Sequence, residues 1–421
     1  MKVLVIGSGA REHAIIRALK RDLSVNQITC APGNAGIAME VPVIAVDVTN
    51  ASQITRIAQD LAVDLVVVGP EVPLAHGAAD AVTAAGIACF GPLQAAAKLE
   101  ASKSFAKDIM IAAGVPTARA HYCSNIEEVA AALTDFGAPY VVKDDGLAAG
   151  KGVVVTDDIE TAKSHATECL QRVDGKVVIE EFLDGPEVSL FLLADGVNVV
   201  PLAPAQDFKR ALDGDLGPNT GGMGAYSPLP WAPAGLVDEV VAKVAQPVIA
   251  EMHRRGTPFS GLLYAGLALT SKGMRVIEFN ARFGDPETQV VLARLQTPLA
   301  ALLYAAATGK LHALPPLEWS ETAAVTVVMA SENYPESPSL GDAIHGLAEA
   351  IRVPNVDVLH AGTRYENGEI VTNGGRVLSV TASGADLAEA RSSAYEAISK
   401  ISIRGAHWRS DIAQDAARIS P

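Results

Sequence analysis

Val276-Ile277-Glu278-Phe279-Asn280-Ala281-Arg282-Phe283-Gly284-Asp285-Pro286-Glu287-Thr288-Gln289 opens as an apolar run carrying two oxygen donors two residues apart. Side chains alternate along a strand, so Glu278 and Asn280 leave the same face. A carboxylate beside an amide oxygen is a hard donor pair, the type that holds Mg²⁺ while waters and phosphates complete the octahedron. If the strand continues, Arg282 points the same way and adds a cation that can fork onto phosphate. Taken alone, the segment also reads as a surface strand end with ordinary charges.

Upstream, Tyr140-Val141-Val142 reads as a strand ending at Lys143, and a glycine-rich run from Asp145 to Gly152 follows. Gly146, Gly150 and Gly152, with Ala149, Lys143 and Lys151, suit a flap whose amides and ammonium groups cover phosphates. The Walker pattern is absent, because Lys151 precedes Gly152 rather than Ser or Thr. A plain hairpin loop stays open here. Val177 to Leu183 reads as a strand leaving the core into Asp184-Gly185. Its backbone edge can pair with an adenine, and Glu187 is placed to accept ribose hydroxyls.

Gly7-Ser8-Gly9, between a strand and a helix, resembles the start of a dinucleotide fingerprint, yet Glu12 stands where the third glycine belongs. The next strand ends in Thr29-Cys30-Ala31-Pro32-Gly33-Asn34-Ala35-Gly36, not in the acid that takes ribose hydroxyls of a dinucleotide. A helix N-terminus favours an anion. The first domain therefore reads as a holder of a phosphorylated small molecule, with Gly9, Arg11, Gly33, Asn34, Gly36, Pro70 and Glu71 at the strand ends. Tight turns that merely pack helices on a sheet are the alternative.

A chain of 421 residues exceeds one hydrophobic core and points to about two to four domains. With 49% hydrophobic and 19% charged residues it is a folding composition, not a disordered one. No apolar run reaches the roughly 20 uncharged residues of a membrane span, and Met1 to Ala10 reads as a first strand rather than a signal peptide. The net charge of −15 argues against general nucleic-acid binding, so anionic substrates require cations concentrated in the site. Cys30, Cys89, Cys123 and Cys169 are scattered without metal spacing, as expected of free thiols in a cytoplasm.

Residues 1 to about 100 alternate strands (Lys2 to Ile6, Asp64 to Val68, Ile87 to Phe90) with helices, which predicts a doubly wound parallel sheet. A mixed region follows to about 322, ended by a helix from Pro298 to near Gly309. The remainder shows short strands, an Asn373-Gly374 turn, and a helix begun by Asp386 with Glu389 three residues on, a capping box.

Lys103, the Lys143 strand and flap, Glu180 to Glu187, and Glu278 with Asn280 occur in the order of the ATP-grasp superfamily. Gly217-Pro218-Asn219-Thr220-Gly221-Gly222-Met223-Gly224-Ala225-Tyr226-Ser227-Pro228 resembles the glycine-rich loop of the phosphoribosylamine–glycine ligase (glycinamide ribonucleotide synthetase) family. So do Gly7 to His13, Ala31 to Gly36, Val68 to Glu71, Gly146 to Gly152, Glu278 to Gln289, His360 to Thr363 and Thr372 to Leu378, nearly the whole chain. The resemblance implies an α/β and α+β multidomain fold: a Rossmann-like N-terminal substrate domain (1–102), an ATP-grasp domain (103–322) with a mobile lid at about 118–190, and a smaller C-terminal α+β domain (323–421). It implies a cytoplasmic enzyme of purine synthesis that joins glycine to 5-phosphoribosylamine through a glycyl phosphate, using ATP and Mg²⁺ or Mn²⁺.

By the same resemblance, Glu278 and Asn280 hold the metal and Arg282 stabilises the phosphoryl group. Lys103 and Lys143 contact nucleotide phosphates, with Gly146, Ala149, Gly150, Lys151 and Gly152 as the flap; Glu180, Glu181, Phe182 and Leu183 line the adenine, and Glu187 takes the ribose. Gln206, Asp207 and Lys209, with Pro218, Asn219, Thr220, Gly221, Gly222, Met223 and Gly224, serve glycine and the amine, and Asp207 can act as base. It leans to a monomer without nucleic-acid or membrane partners, with transient contact to neighbouring purine-pathway enzymes left open. With 421 residues, the chain is expected to be a stand-alone bacterial-type enzyme rather than one of the fused eukaryotic forms.

Four departures stand out. Phe208 replaces a common His, Asp144 a common Ala beside Lys143, and Ala413 a common Gly, while the strand Leu262 to Leu267 offers no third acid for a metal. An ATP-grasp ligase of another acid or amine, and a non-catalytic nucleotide sensor on the same scaffold, are the rival readings.

Overall fold

The computed structural model describes residues 1–146, 152–172 and 175–419. Strands Lys2–Gly7, Gln27–Pro32, Leu65–Val68 and Ala88–Phe90 form a parallel sheet in which the first strand lies between the second and third. Val3, Leu4, Val5 and Ile6 are all buried, because helices cover both faces and every side chain must be apolar. Val3 and Val5 face one core, Leu4 and Ile6 another. The expected doubly wound sheet is present.

The core under Val3 and Val5 continues without a break into Phe191, Leu262 and Tyr264 of a second sheet, with Leu299, Leu302 and Leu303 of the helix Leu299–Ala307 between them. That second sheet is antiparallel, built from Val199–Pro201, Glu187–Asp195, Ser260–Thr270 and Gly273–Asn280 in that order. Its last pair carries a bulge: Gly266 faces Glu278 and Leu267 faces Val276, leaving Ile277 as the extra residue. Bulges re-aim neighbouring side chains and recur next to active sites. The strand stops at Asn280, so the expectation that Arg282 rides the same strand is corrected.

A four-stranded sheet in the order Ala120–Cys123, Val177–Glu180, Tyr140–Asp144, Val153–Thr156 makes the lid. Cys123, Val142, Val177 and Ile179 pack under the helices Ile126–Phe136 and Ile159–Leu170. By the period of two, Tyr122, Lys143, Val178 and Glu180 turn to the other face. The strand expected to run to Leu183 ends at Glu180; beyond it the chain is a linker.

A five-stranded sheet joins strands from both sides of residue 322: Gln206–Asp207, Gly224–Ser227, Ala323–Ala330, Arg376–Gly384 and Val356–His360. Asn373-Gly374 is a crossing, not a hairpin turn, because Glu369–Thr372 pairs with Thr363–Glu366 while Arg376–Gly384 belongs to the larger sheet. Asp386 caps the helix Leu387–Ile398 by accepting from the Glu389 amide at 2.8 Å. Glu389 reaches past the cap to the Ala385 amide at 2.7 Å, a displaced capping box.

Candidate active site

The lid face and the bulged sheet meet around three lysines. Lys143 Nζ lies 2.8 Å from Glu180 Oε2 and donates to the carbonyl of the bulge residue Ile277 at 3.3 Å. Lys107, which sequence reasoning missed, takes the other oxygen of Glu180 at 3.1 Å and donates to Thr117 Oγ1 and the Ala118 carbonyl. Its position four residues after Lys103 on one helix was the available signal. Burial pushes Lys107 down to about 8, against the pull of Glu180. Glu180 is thus a buried brace between two lysines, with both carboxylate oxygens taken.

Lys103 Nζ donates to the Gly146 carbonyl at 3.1 Å. Asp145 accepts from the Ser104 amide at 2.7 Å and its hydroxyl at 2.8 Å, bolting the root of the flap to the first turn of the helix Lys103–Ala112. Asp144 takes Arg172 and the Gly146 amide, so its carboxylate points away from Lys143. Gly152 closes the flap by accepting from the Asp144 amide at 2.7 Å; Ala149, Gly150 and Lys151 lie outside the described residues. In the linker, the Glu181 carboxylate holds the Arg119 amide at 2.9 Å and Arg119 Nε at 3.1 Å, Phe182 is exposed, and Leu183 is half-buried.

Glu278 and Asn280 stand on the floor opposite Gly266 and Tyr264. Burial raises the Glu278 carboxyl, but Lys209, Lys143, Lys103 and Arg282 outweigh it and hold the group below the usual carboxylate range. A charged carboxylate with a neighbouring amide oxygen fits a hard divalent cation. Among the described residues no three His, Cys, Asp or Glu side chains gather around one point, so waters and phosphate would fill the other positions.

Lys209 pairs with Glu187, which therefore is not a free acceptor in this arrangement. Burial pushes Asp207 up to about 7, opposed by Lys209 and helped by Glu287, Glu187 and Glu278. Gln206 donates to the Glu187 carbonyl at 3.1 Å and accepts from Tyr226. Glu287, also missed, is buried and accepts from Ser189 Oγ at 3.0 Å, while Ser189 lies 2.8 Å from Tyr264 Oη. Only its place in the opening stretch pointed to it. Phe208 lies under the Arg409 guanidinium at 4.8 Å, a packing contact in place of an imidazole.

The glycine-rich loop is tied on every side. Pro218 is exposed, Asn219 donates to the Val153 carbonyl of the lid at 3.3 Å, and Thr220 donates to the Lys209 carbonyl from Oγ1 at 2.9 Å. Tyr334 Oη accepts from the Gly221 amide at 3.0 Å, and Met223 and Gly224 are buried. Arg376 donates to the carbonyls of Gly221 and, at 2.7 Å, Asp285. Gly222 has φ +107°, and a Cβ there would collide with Pro286 Cδ. Gly222→Ala is expected to cost about 1–3 kcal/mol from backbone strain, read as a lowered denaturation midpoint, and to slow turnover because the loop must shift.

At the N-terminal turns, the Glu12 carboxylate lies against the backbone of Gly7, Gly9 and Gly69. It accepts from the Gly9 amide at 2.6 Å and from Arg11 Nε at 2.5 Å, while Arg11 also donates to the Phe283 carbonyl at 3.1 Å. The anion at this helix N-terminus is the chain's own. Gly33 donates its amide to the Gly7 carbonyl at 3.1 Å, and Asn34 Nδ2 bonds the carbonyls of Ser8 and His360, both at 2.8 Å. A side chain at Gly36 would strike the His360 ring. These residues seal the first sheet against the C-terminal one. Pro70 precedes the helix Glu71–Ala75, and Glu71 Oε2 lies 3.3 Å from Arg282 Nε.

Models of the phosphoribosylglycinamide synthetase N domain, ATP-grasp (A) domain and C domain match residues 1–100, 101–288 and 324–415. A phosphoribosylamine–glycine ligase of Streptomyces coelicolor is 66% identical over 419 residues, covering 99% of this chain and 100% of that one. One of Mycobacterium tuberculosis is 55% identical over 423 residues, covering 99% of each. The crystal structure of a phosphoribosylamine–glycine ligase from Thermotoga maritima superposes with a TM-score of 0.84 at 32% identity, over 98% of this chain and 100% of that one. A biotin carboxylase–β-γ-ATP complex from Campylobacter jejuni shares the fold at TM-score 0.71 and 15% identity, covering 96% of this chain and 92% of that one.

Proposed function

The chain belongs to the phosphoribosylglycinamide synthetase family, and from that premise we propose how its own residues join glycine to 5-phosphoribosylamine at the expense of ATP. It is an ATP-grasp ligase of purine biosynthesis, and its fold binds ATP with a divalent metal. The observation that carries the residue assignment is Glu278, kept ionised in a buried site by Lys209, Lys143, Lys103 and Arg282. Cations converging on one metal-binding carboxylate suit the phosphates of a nucleoside triphosphate.

Carboxylates are poor acyl donors, so a glycine oxygen first attacks the γ-phosphorus and ADP departs. The amine nitrogen of phosphoribosylamine then attacks the acyl carbon; the C–N bond forms, the C–O bond breaks, and phosphate leaves. In our assignment Glu278 and Asn280 hold Mg²⁺, which when bound neutralises charge on the phosphate oxygens. Lys103, Lys143 and the flap neutralise the remaining charge, and Arg282 donates to the transferring group. Glu180 to Leu183, the first through its backbone, and Glu187 take adenine and ribose, the last by exchanging Lys209 for the hydroxyls. Asp207 receives the proton lost by the amine. The Pro218 to Gly224 loop and the N-terminal turns enclose the amine substrate. We place the enzyme in the cytoplasm and expect it to act as a monomer.

The decisive assay follows ADP release with Mg-ATP and glycine, with and without phosphoribosylamine generated from ribose 5-phosphate and ammonia. Turnover requiring both co-substrates, with glycinamide ribonucleotide seen by mass spectrometry, is the expected result. Turnover with another acid or amine but not this pair would move the substrate and keep the fold.

A further inference from the structure

Arg282 follows the end of its strand, so sheet hydrogen bonds do not aim it. A flexible side chain beyond a strand end needs other restraints if it is to meet a transferring group within a fraction of an ångström. Two carboxylates supply them. Glu100, on the helix Gln94–Ala101, accepts from the Ala281 amide at 2.7 Å with Oε2 and pairs with Arg282 Nη2 at 2.9 Å through Oε1. One buried carboxylate therefore fixes both the backbone turn and the guanidinium it carries. Glu71 approaches from the opposite domain, immediately after the parallel strand Leu65–Val68 and its Gly69-Pro70 turn, and lies 3.3 Å from Nε. Nε is buried and makes no hydrogen bond of good geometry, so this second contact is loose where the first is tight.

We infer that Glu100 and Glu71 are positioning residues that act on the reaction through Arg282. The inference rests on the reading of Arg282 as the donor to the transferring phosphoryl group. A guanidinium has five N–H donors in a rigid fork. Nε faces Glu71, one N–H of Nη2 faces Glu100, and one of Nη1 goes to the Phe283 carbonyl at 3.2 Å. One N–H on each terminal nitrogen is left for oxygen atoms of a ligand. The two acids offset the cation's charge, so what the clamp contributes is direction, which is what a preorganised donor needs. Because Glu71 comes from the first domain and Glu100 from the helix leading into the second, the clamp also ties the orientation of Arg282 to the seating of the two domains.

The test is a double-mutant cycle in the full-length enzyme: wild type, Glu100→Gln, Arg282→Ala and the double variant, with a parallel cycle for Glu71→Gln. Glutamine keeps an acceptor for the Ala281 amide and removes the charge that holds the guanidinium. We expect each glutamine variant to lower kcat by about tenfold or more, with KM for ATP within about twofold and Mn²⁺ affinity unchanged, and to have no further effect in the Arg282→Ala background. An equal fall in both backgrounds, or an unchanged kcat in Glu100→Gln, would overturn the inference. If Arg282→Ala alone leaves kcat intact, the reading of Arg282 fails and the inference with it. Should Glu100→Gln not yield folded protein, the Glu71→Gln cycle decides on the same criteria.

Discussion

Glu278→Ala is expected to lower kcat by about 10³-fold while the protein keeps its fold. The size follows from removing a group that fixes charge where charge develops, a loss on the order of 10²–10³ for a single preorganised donor and more where a metal depends on it. The fold should survive because Glu278 projects from one face of a sheet whose register is set by backbone bonds to Ser260–Thr270 and whose opposite face holds Val276 and Phe279 in the core. A near-normal melting temperature, a Mn²⁺ affinity weakened at least tenfold, and the loss of turnover together would identify a metal ligand. The alanine variant carries a second signature. Burial already lowers the Lys103 pKa, and Glu278 is the largest influence opposing that fall. Without Glu278, Lys103 gives up its proton at lower pH, so residual activity should decline earlier as pH rises. Near-normal activity would sink the metal assignment.

The sequence made the architecture legible wherever a local pattern answered to a local cause. The strand Lys2–Gly7 announced itself because burial on both faces demands an unbroken apolar run. Glu278 and Asn280 could be paired because strand period alone puts them on one face. What stayed hidden were partnerships between distant segments. Nothing local shows that Lys107 and Lys143 claim both carboxylate oxygens of Glu180 and leave its backbone as the part free for a ligand. Asp144 looks like a repulsive charge beside the flap until Arg172 takes it to the opposite face. Asn34 bonds the carbonyls of Ser8 and His360, the latter more than three hundred positions away, and Gly36 lies against the His360 ring. No periodicity encodes such a contact. The bulge at Ile277 was equally invisible, since one extra residue leaves the apolar pattern of the run unbroken.

Asp207→Asn is the second large effect, and it separates the two halves of the reaction. Burial lifts Asp207 to about 7, so its carboxylate form grows across the neutral range. A base must be deprotonated to work, and its strength is best used when its pKa lies near the working pH. Wild-type turnover should therefore fall as pH drops through about 7, along a limb that the asparagine variant lacks. General-base removal costs about 10²–10⁴-fold, and we expect the loss in amide formation, with glycine-dependent isotope exchange between ADP and ATP retained. The linkage has the opposite sign for stability. A raised carboxyl binds its proton more tightly in the folded protein than in the unfolded chain, whose carboxyl titrates near ~4. This group's contribution to stability is thus fully present at low pH and is lost as pH rises toward about 7. An amide of the same shape has no charge to desolvate, so Asp207→Asn should melt no lower than wild type at pH 8. A variant that is slower, insensitive to pH near neutrality and no less stable is the pattern of a group kept buried for chemistry. Loss of exchange and amide formation together would instead place Asp207 on glycine or the metal.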